Sequence, residues 1–174
     1  MIRTADDVNR MANLLALKIE NRRPGIRKHT DYVRGKRGTL KFASDEFKRY
    51  MADRFSGFAD NWCLPVAQAP VERIHFKGFI PYDDRELDSH VMRVWERNDC
   101  DRKLQESALM MTTTGRAFGL VTSMPDGRAR ISFEHPDSAA VHYDPLTGEV
   151  DAGLLVRYDE EHEFGTLLLP DMVF

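Results

Sequence analysis

Few residues in this chain form the sequence motifs that a catalytic, nucleotide-binding or metal site requires. The sequence contains no Gly-x-Ser-x-Gly element, no nucleotide-binding phosphate loop and no His-Glu-x-x-His zinc motif. His135 and His142 could meet near Asp144 across a predicted turn, but a metal site would need a third ligand with defined geometry. We favour ordinary surface or loop histidines, and expect no catalytic residues, no metal and no cofactor, and hence no enzyme.

Two further segments resemble ligand loops in composition alone. Gly-Lys-Arg-Gly-Thr at residues 35–39 lacks the first glycine of a phosphate loop, and no strand is predicted before it. The acidic residues between Asp83 and Asp88 do not have the ligand spacing of an EF-hand. We interpret both segments as solvated loops.

The strongest charge feature is a basic segment in the N-terminal third. The net charge of −3 combines a balance of +7 over residues 1–54 with a balance of −10 over residues 55–174. The candidate contact residues, in a predicted arm over residues 22–41, are Arg22, Arg23, Arg27, Lys28, Arg34, Lys36, Arg37 and Lys41. Such an arm is suited to DNA phosphates or to an acidic face of a neighbouring subunit, and the alternative is an exposed, solubilising loop.

The elements predicted around this arm are helical. Thr4 followed by two acids predicts a capped helix over residues 5–20, with Leu15 and Ile19 on its apolar face, that stops before Pro24. A second helix is predicted from Ser44 to about Phe55. Trp62 and Trp95 are both predicted to be buried in the core, so that replacement of Trp62 by alanine should cost about 3–5 kcal/mol.

The remaining chain changes from helices to strands. Residues 73–80 are predicted as a strand, and residues 87–97 and 101–114 as helices. The helix over 101–114 is predicted to turn Met111 inward and to be capped by Gly115. Strands are then predicted over residues 118–124, 129–134, 139–143, 150–158 and 165–169. The fold class is therefore α+β, with three parts: residues 1–57 helical with the basic arm, 58–116 helical, and 117–174 β-rich.

The cysteines and the apolar runs bear on the compartment in which the protein is made and on its C-terminal residues. Cys63 and Cys100 show no metal-binding spacing and are interpreted as reduced thiols, with one disulfide left open. No signal core or long apolar run is evident, so we expect synthesis in the cytoplasm. The apolar residues 167–174 predict either a tail that docks into the core or a chain cut within a domain.

Several short motifs occur in an order and spacing typical of one protein family. The first are Asp31-Tyr32-Val33-Arg34-Gly35 leading to Leu40, Asn61-Trp62-Cys63, and Val71-Glu72-Arg73-Ile74 before Gly78-Phe79. The later ones are Trp95 with Asn98 and Asp99, Gly115-Arg116-Ala117-Phe118, Tyr143-Asp144-Pro145 and Leu169-Pro170-Asp171. Through them, nearly the whole chain resembles the N-terminal, wing-like portion of portal proteins of long-tailed (siphovirus-type) phages, particularly those of actinobacteria.

The resemblance implies a structural role without catalysis. Portal proteins form rings, usually of twelve subunits, at one capsid vertex, where they serve DNA packaging, DNA ejection and head–tail connection. The implied partners are further subunits, the major capsid protein or scaffold, double-stranded DNA, and, through the C-terminal part that is not matched, the packaging ATPase and head-completion protein. The implied location is the virion, after synthesis in the host cytoplasm. The alternative is a stand-alone nucleic-acid-binding protein that uses residues 22–41.

Overall fold

The computed structural model describes residues 4–36, 44–46, 49, 61–81, 88–170 and 172–174. The helices of this described part are α1 (Ala5–Val33), α2 (Cys63–Val71), α3 (Ser89–Arg97) and α4 (Cys100–Thr114). The strands are β1 (Phe118–Ser123), β2 (Ala129–Glu134), β3 (Ala139–Tyr143), β4 (Val150–Tyr158) and β5 (Glu163–Leu168). Helices thus precede strands, and the predicted α+β class is confirmed.

Helix α1 begins at the predicted cap. The Thr4 hydroxyl accepts a hydrogen bond from the backbone amide of Asp7 at 3.2 Å, and the Asp7 carboxylate accepts one from the Thr4 amide at 3.2 Å. This reciprocal capping box satisfies two amides that the first helical turn leaves unpaired. The helix ends where Gly35 adopts a φ of 70°, a left-handed conformation that glycine tolerates without strain.

The predicted end of α1 is wrong, because the helix continues through Pro24 to Val33. The predicted exposed arm is therefore helical over residues 22–33. An interior proline removes one helical hydrogen bond and costs about 3 kcal/mol. The compensation comes from packing: Ile19, Ile26 and Val33, at intervals of seven residues, are buried or half-buried on one face, whereas Pro24 is exposed.

The core lies between α1 and the sheet formed by β3, β4 and β5. Leu15 and Ile19, at 0% and 1% exposure, pack against Ala152, Leu154 and Val156 of β4 in one buried cluster. These residues occupy alternate positions along β4 and therefore point to one face of the sheet. Leu155, on the opposite face, is also buried, so the centre of β4 is covered on both sides.

The strands form two antiparallel sheets. A hairpin joins β1 and β2, with Gly127 at a φ of 77° in its turn, as predicted from Asp126-Gly127. The second sheet has the order β3-β4-β5. Leu167 of β5 exchanges two backbone hydrogen bonds with Phe174, both 2.9 Å long, so residues 172–174 lie along the outer edge of β5.

The predicted strand over residues 73–80 is wrong, since residues 74–81 form neither strand nor helix. This segment instead supplies Phe76 and Phe79, whose ring centroids lie 4.3 and 5.5 Å from that of Trp95 on α3. The prediction that Trp95 is buried is confirmed, at 8% exposure. Aromatic packing against a helix, rather than strand pairing, fixes this stretch.

Two predicted core side chains are on the surface. Trp62 is 68% exposed and Met111 is 46% exposed, so both core assignments are wrong. Most of the predicted second helix, including Phe55, and all but the last residue of the acidic stretch from Asp83 to Asp88 lie outside the described residues. Among the helices that are described, none combines the length and apolar character needed to cross a membrane.

Candidate interaction surface

Two of the eight predicted contact residues hold the fold together. Arg22 donates from Nε to the carbonyl of Lys18 at 2.8 Å and from Nη2 to the carbonyl of Ala139 at 2.9 Å. Arg23 donates to the carbonyl of Asp137 at 3.3 Å and to the hydroxyl of Tyr158. Both guanidinium groups therefore connect α1 to the start of β3 and the end of β4.

Arg22 also occupies an unusual electrostatic position. Its guanidinium lies over the ring of Phe118 at 5.7 Å from the centroid, a cation–π contact. Burial lowers the pKa of Arg22, and the nearby Arg116 guanidinium lowers it further. Neither arginine forms an ion pair with a carboxylate among the described residues. The chain therefore places two like charges close together with no anion between them.

The other predicted contact residues divide into two groups. Arg27, Lys28, Arg34 and Lys36 are exposed along the C-terminal third of α1 and the turn that follows it. Arg37 and Lys41 lie outside the described residues. Within its described residues, the predicted arm over residues 22–41 therefore consists of four exposed cations at and after the end of α1 and two arginines that bond to the backbone near β3.

An apolar groove opens between α1, α2 and α4. Its volume is about 690 Å³, and its lining includes His29, Tyr32, Trp62, Val66, Pro70 and Thr113. The large side chains at its edge are widely open to solvent, with Tyr32 at 47%, Trp62 at 68% and Val66 at 72% exposure. Clustered exposed apolar side chains of this kind are typical of contact surfaces.

A smaller cationic pocket adjoins this groove. It has a volume of about 230 Å³ and is lined by residues that include Asn21, Arg22, His29, Thr114 and Arg116. His29 lines both cavities, so the groove and the pocket meet at this side chain. Among the described residues, no aspartate or glutamate lines either cavity. The combined surface is apolar along its length and positively charged at one end.

No protein-family model matches this chain, and no curated protein sequence matches it either.

The two histidines considered for a metal site are held apart by separate partners. His135 Nδ1 lies 2.5 Å from a carboxylate oxygen of Asp137, and His142 Nδ1 lies 2.7 Å from one of Asp151. The described part of the chain has no group of three His, Cys, Asp or Glu side chains placed to hold a metal ion. Asp144 instead accepts hydrogen bonds from the amides of Leu146 and Thr147, which lower the pKa of its carboxyl.

The motif residues lie at junctions between elements. Asn61 donates from Nδ2 to the carbonyl of Val33 at 2.6 Å, which ties α2 to the end of α1. Trp95 donates from Nε1 to the carboxylate of Asp101 at 2.8 Å, which ties α3 to α4. Gly115, at a φ of 83°, terminates α4 as predicted. These positions fix how the helices meet and where α4 ends.

Sequence reasoning missed Arg116 and the groove. Arg116 was visible only as part of the motif Gly115-Arg116-Ala117-Phe118, and nothing in its sequence neighbourhood shows that Arg22 lies beside it. Trp62 and Val66 are four residues apart, the spacing of one helical face. That spacing is equally typical of a core face, and the prediction chose the core.

Proposed function

We propose that this chain is a structural subunit of a ring assembly of the phage portal type, in which it forms a wing-like part at the capsid vertex. Its task is to build and hold a conduit for DNA packaging, ejection and head–tail connection, and it performs no reaction. Its partners in this role are further copies of itself, the capsid protein or scaffold, and the DNA that passes through the ring.

The observation that carries the proposal is the open surface formed by the groove and the cationic pocket. Apolar side chains exposed by half or more, next to uncompensated arginines, are unfavourable on an isolated molecule and favourable once a partner covers them. Side-chain hydrogen bonds connect the three helices that form this surface, from Asn61 to the carbonyl of Val33 and from Thr112 to the carbonyl of Ala67.

The family motifs support the same role. Asn61, Trp95 and Gly115 act on the backbone and on helix junctions, and none of them meets a carboxylate–histidine pair or a nucleophile within the described residues. We take the order of these motifs as support for a framework like that of a ring protein. Portal identity therefore rests on the order of these motifs together with the surface available for subunit contact.

The test is the assembly state of the protein expressed from its natural reading frame. Analytical ultracentrifugation and negative-stain electron microscopy should detect closed rings with a central channel, and the sedimentation coefficient should rise with protein concentration. A species that stays monomeric up to about 100 μM, well above the range of specific contacts, would contradict the proposal.

A second candidate is binding of nucleic acid through the helix end. The specific observation in its favour is the exposure of Arg27, Lys28, Arg34 and Lys36 on one short stretch of chain. If these cations bind DNA phosphates, the slope of log affinity against log salt should change by about −0.9 for each phosphate neutralised. Replacement of all four by glutamine should then abolish binding to duplex DNA, whereas assembly into rings should persist.

A further inference from the structure

We propose that the groove and the cationic pocket receive the acidic turn of a second copy of this chain, so that subunits associate head to tail. This inference rests on the proposed ring function and names the contact that would build the ring. The acidic turn is defined as Asp159–Glu163, which connects β4 to β5, together with Phe164, the next residue of β5.

The acidic turn and the cationic pocket are complementary in charge. The acidic turn carries four carboxylates within five residues, all of them on exposed side chains. None of the four forms an ion pair with the described residues of its own chain. The cationic pocket lacks negative charge, because Arg22 and Arg116 lie together with no carboxylate among the described lining residues. A carboxylate in the pocket would relieve the repulsion between the two guanidinium groups and form charge-assisted hydrogen bonds.

The acidic turn and the groove also both expose apolar side chains beside their charged groups. Phe164 is 54% exposed and directly follows Glu163, so that a large ring stands beside the carboxylates. The groove presents Tyr32, Trp62 and Val66 beside the cationic pocket in the same way. An aromatic ring entering the groove would bury apolar surface on both sides, while the neighbouring carboxylate reached Arg116. Both surfaces thus have one apolar and one charged half.

Helix geometry favours a contact between copies over one within a single chain. Tyr158, which precedes the acidic turn, is held by Arg23 on one side of α1. Tyr32, in the groove, follows Arg23 by nine residues, and at 3.6 residues per turn this spacing places it on the opposite side of the helix. The turn and the groove therefore face away from each other, and we expect the contact to form between copies. Two different surfaces in contact give a heterologous interface, which closes into a ring when the rotation allows it.

The experiment uses two variants of the whole protein that each damage one half of the interface. Val66→Glu introduces a carboxylate into the groove, and the double variant Glu160→Lys with Glu161→Lys reverses charge in the acidic turn. Matched controls are Val121→Glu, an apolar residue of similar exposure on β1, and Glu149→Lys in the turn before β4. Thermal melts of all four proteins should resemble that of the parent protein, since every changed side chain is exposed.

The expected result is complementation. Each interface variant alone should self-associate at least about tenfold more weakly than the parent protein, while both controls associate normally. An equimolar mixture of the two interface variants should form a one-to-one complex and nothing larger, because only one intact pair of surfaces remains. High salt should weaken this complex.

Three results would overturn the inference. Parent-like assembly of both variants would place the subunit contact elsewhere and leave the ring proposal standing. Failure of the mixture to form a complex would exclude a head-to-tail contact. A lower melting temperature of Val66→Glu with unchanged assembly would mean that a segment of the same chain covers the groove. Monomeric behaviour of the parent protein, in contrast, would remove the ring proposal and this inference together.

Discussion

The side chain of Asn98 is hydrogen-bonded to the backbone of Ile131 much as a neighbouring β-strand would be. The side-chain oxygen of Asn98 accepts a hydrogen bond from the backbone amide of Ile131 at 3.0 Å, and its side-chain nitrogen donates to the carbonyl of Ala129, also at 3.0 Å. A single half-buried amide at the junction between α3 and α4 therefore pairs with the outer edge of β2. This contact attaches the helical part of the chain to the β1–β2 hairpin.

Replacement of Asn98 by alanine should lower the free energy of unfolding by about 2 kcal/mol, because it leaves a backbone donor and a backbone acceptor of β2 without their partners. Urea denaturation followed by circular dichroism measures the change. Asn13→Ala, on the exposed side of α1, serves as the control and should be neutral or slightly stabilising. Equal stabilities of the two variants would mean that water replaces the Asn98 contacts without loss.

Pro24 offers a stabilising substitution. Replacement by alanine should restore a helical hydrogen bond to the carbonyl of Glu20, and the exposed position leaves room for the change. After allowance for the greater freedom of the unfolded chain, we expect a gain of about 1–2 kcal/mol in the free energy of unfolding.

Pro136 supplies the opposite case for comparison. This proline is fully buried in the turn before β3, so its replacement by alanine should destabilise the protein through lost packing. Thermal melts of both variants distinguish the two situations. A loss of stability in Pro24→Ala would indicate that α1 is interrupted at that position.

The two tryptophans should differ in their contribution to stability. Trp95→Ala should cost about 3–5 kcal/mol, because it removes a buried ring from its stack with Phe76 and Phe79. Trp62→Ala should cost about 1 kcal/mol or less, since most of that ring is already in water. Chemical denaturation of both variants measures the difference, and similar losses would contradict the exposure of Trp62.

Cys100 makes stability dependent on alkaline pH. Burial raises the pKa of its thiol above the ordinary value of 9.0 and outweighs the lowering by the Lys103 ammonium, while the carboxylates of Asp101 and Asp99 raise the pKa further. The unfolded chain therefore releases this proton more readily than the folded one. The stabilisation that the protonated Cys100 thiol contributes is therefore fully present below pH 9.0 and is lost as the pH rises through the pKa of the folded state.

We accordingly expect the free energy of unfolding to fall above pH 9.0 more steeply in the parent protein than in Cys100→Ala. The same burial should protect Cys100 from alkylation at neutral pH, whereas the half-buried Cys63 should react faster. Mass spectrometry after brief exposure to iodoacetamide locates the modified thiol. Rapid modification of Cys100 would show that its surroundings open readily.

Local patterns predicted the five C-terminal strands well, because neighbouring residues encode them. Alternation of side chains and the turn Asp126-Gly127 were enough to place the β1–β2 hairpin, and the β-rich C-terminal part follows the same logic. The capping box at Thr4 and the left-handed Gly115 are also local, and both were predicted correctly. Portal-type function, by contrast, stays a prediction.

Long-range packing decided the features that local patterns got wrong. Pro24 predicts a helix end by itself, yet α1 continues past it, where Ile26 is buried and Arg22 donates to the carbonyl of Ala139, 117 residues away. In the same way, the charge of Arg22 and Arg23 predicted an exposed arm, yet both side chains donate to backbone carbonyls at or just before the start of β3.

Hydrogen bonds and dihedral preferences within a few residues set the C-terminal strands, the caps at Thr4 and Gly115 and the tight turns, so these features can be read from local sequence. Tertiary packing separates the apolar core face from the open groove, and it brings Arg22 and Arg116 to one pocket. Burial and electrostatic proximity depend on which distant elements pack together, and a periodic pattern is the same whether its partner lies in the same chain or in another.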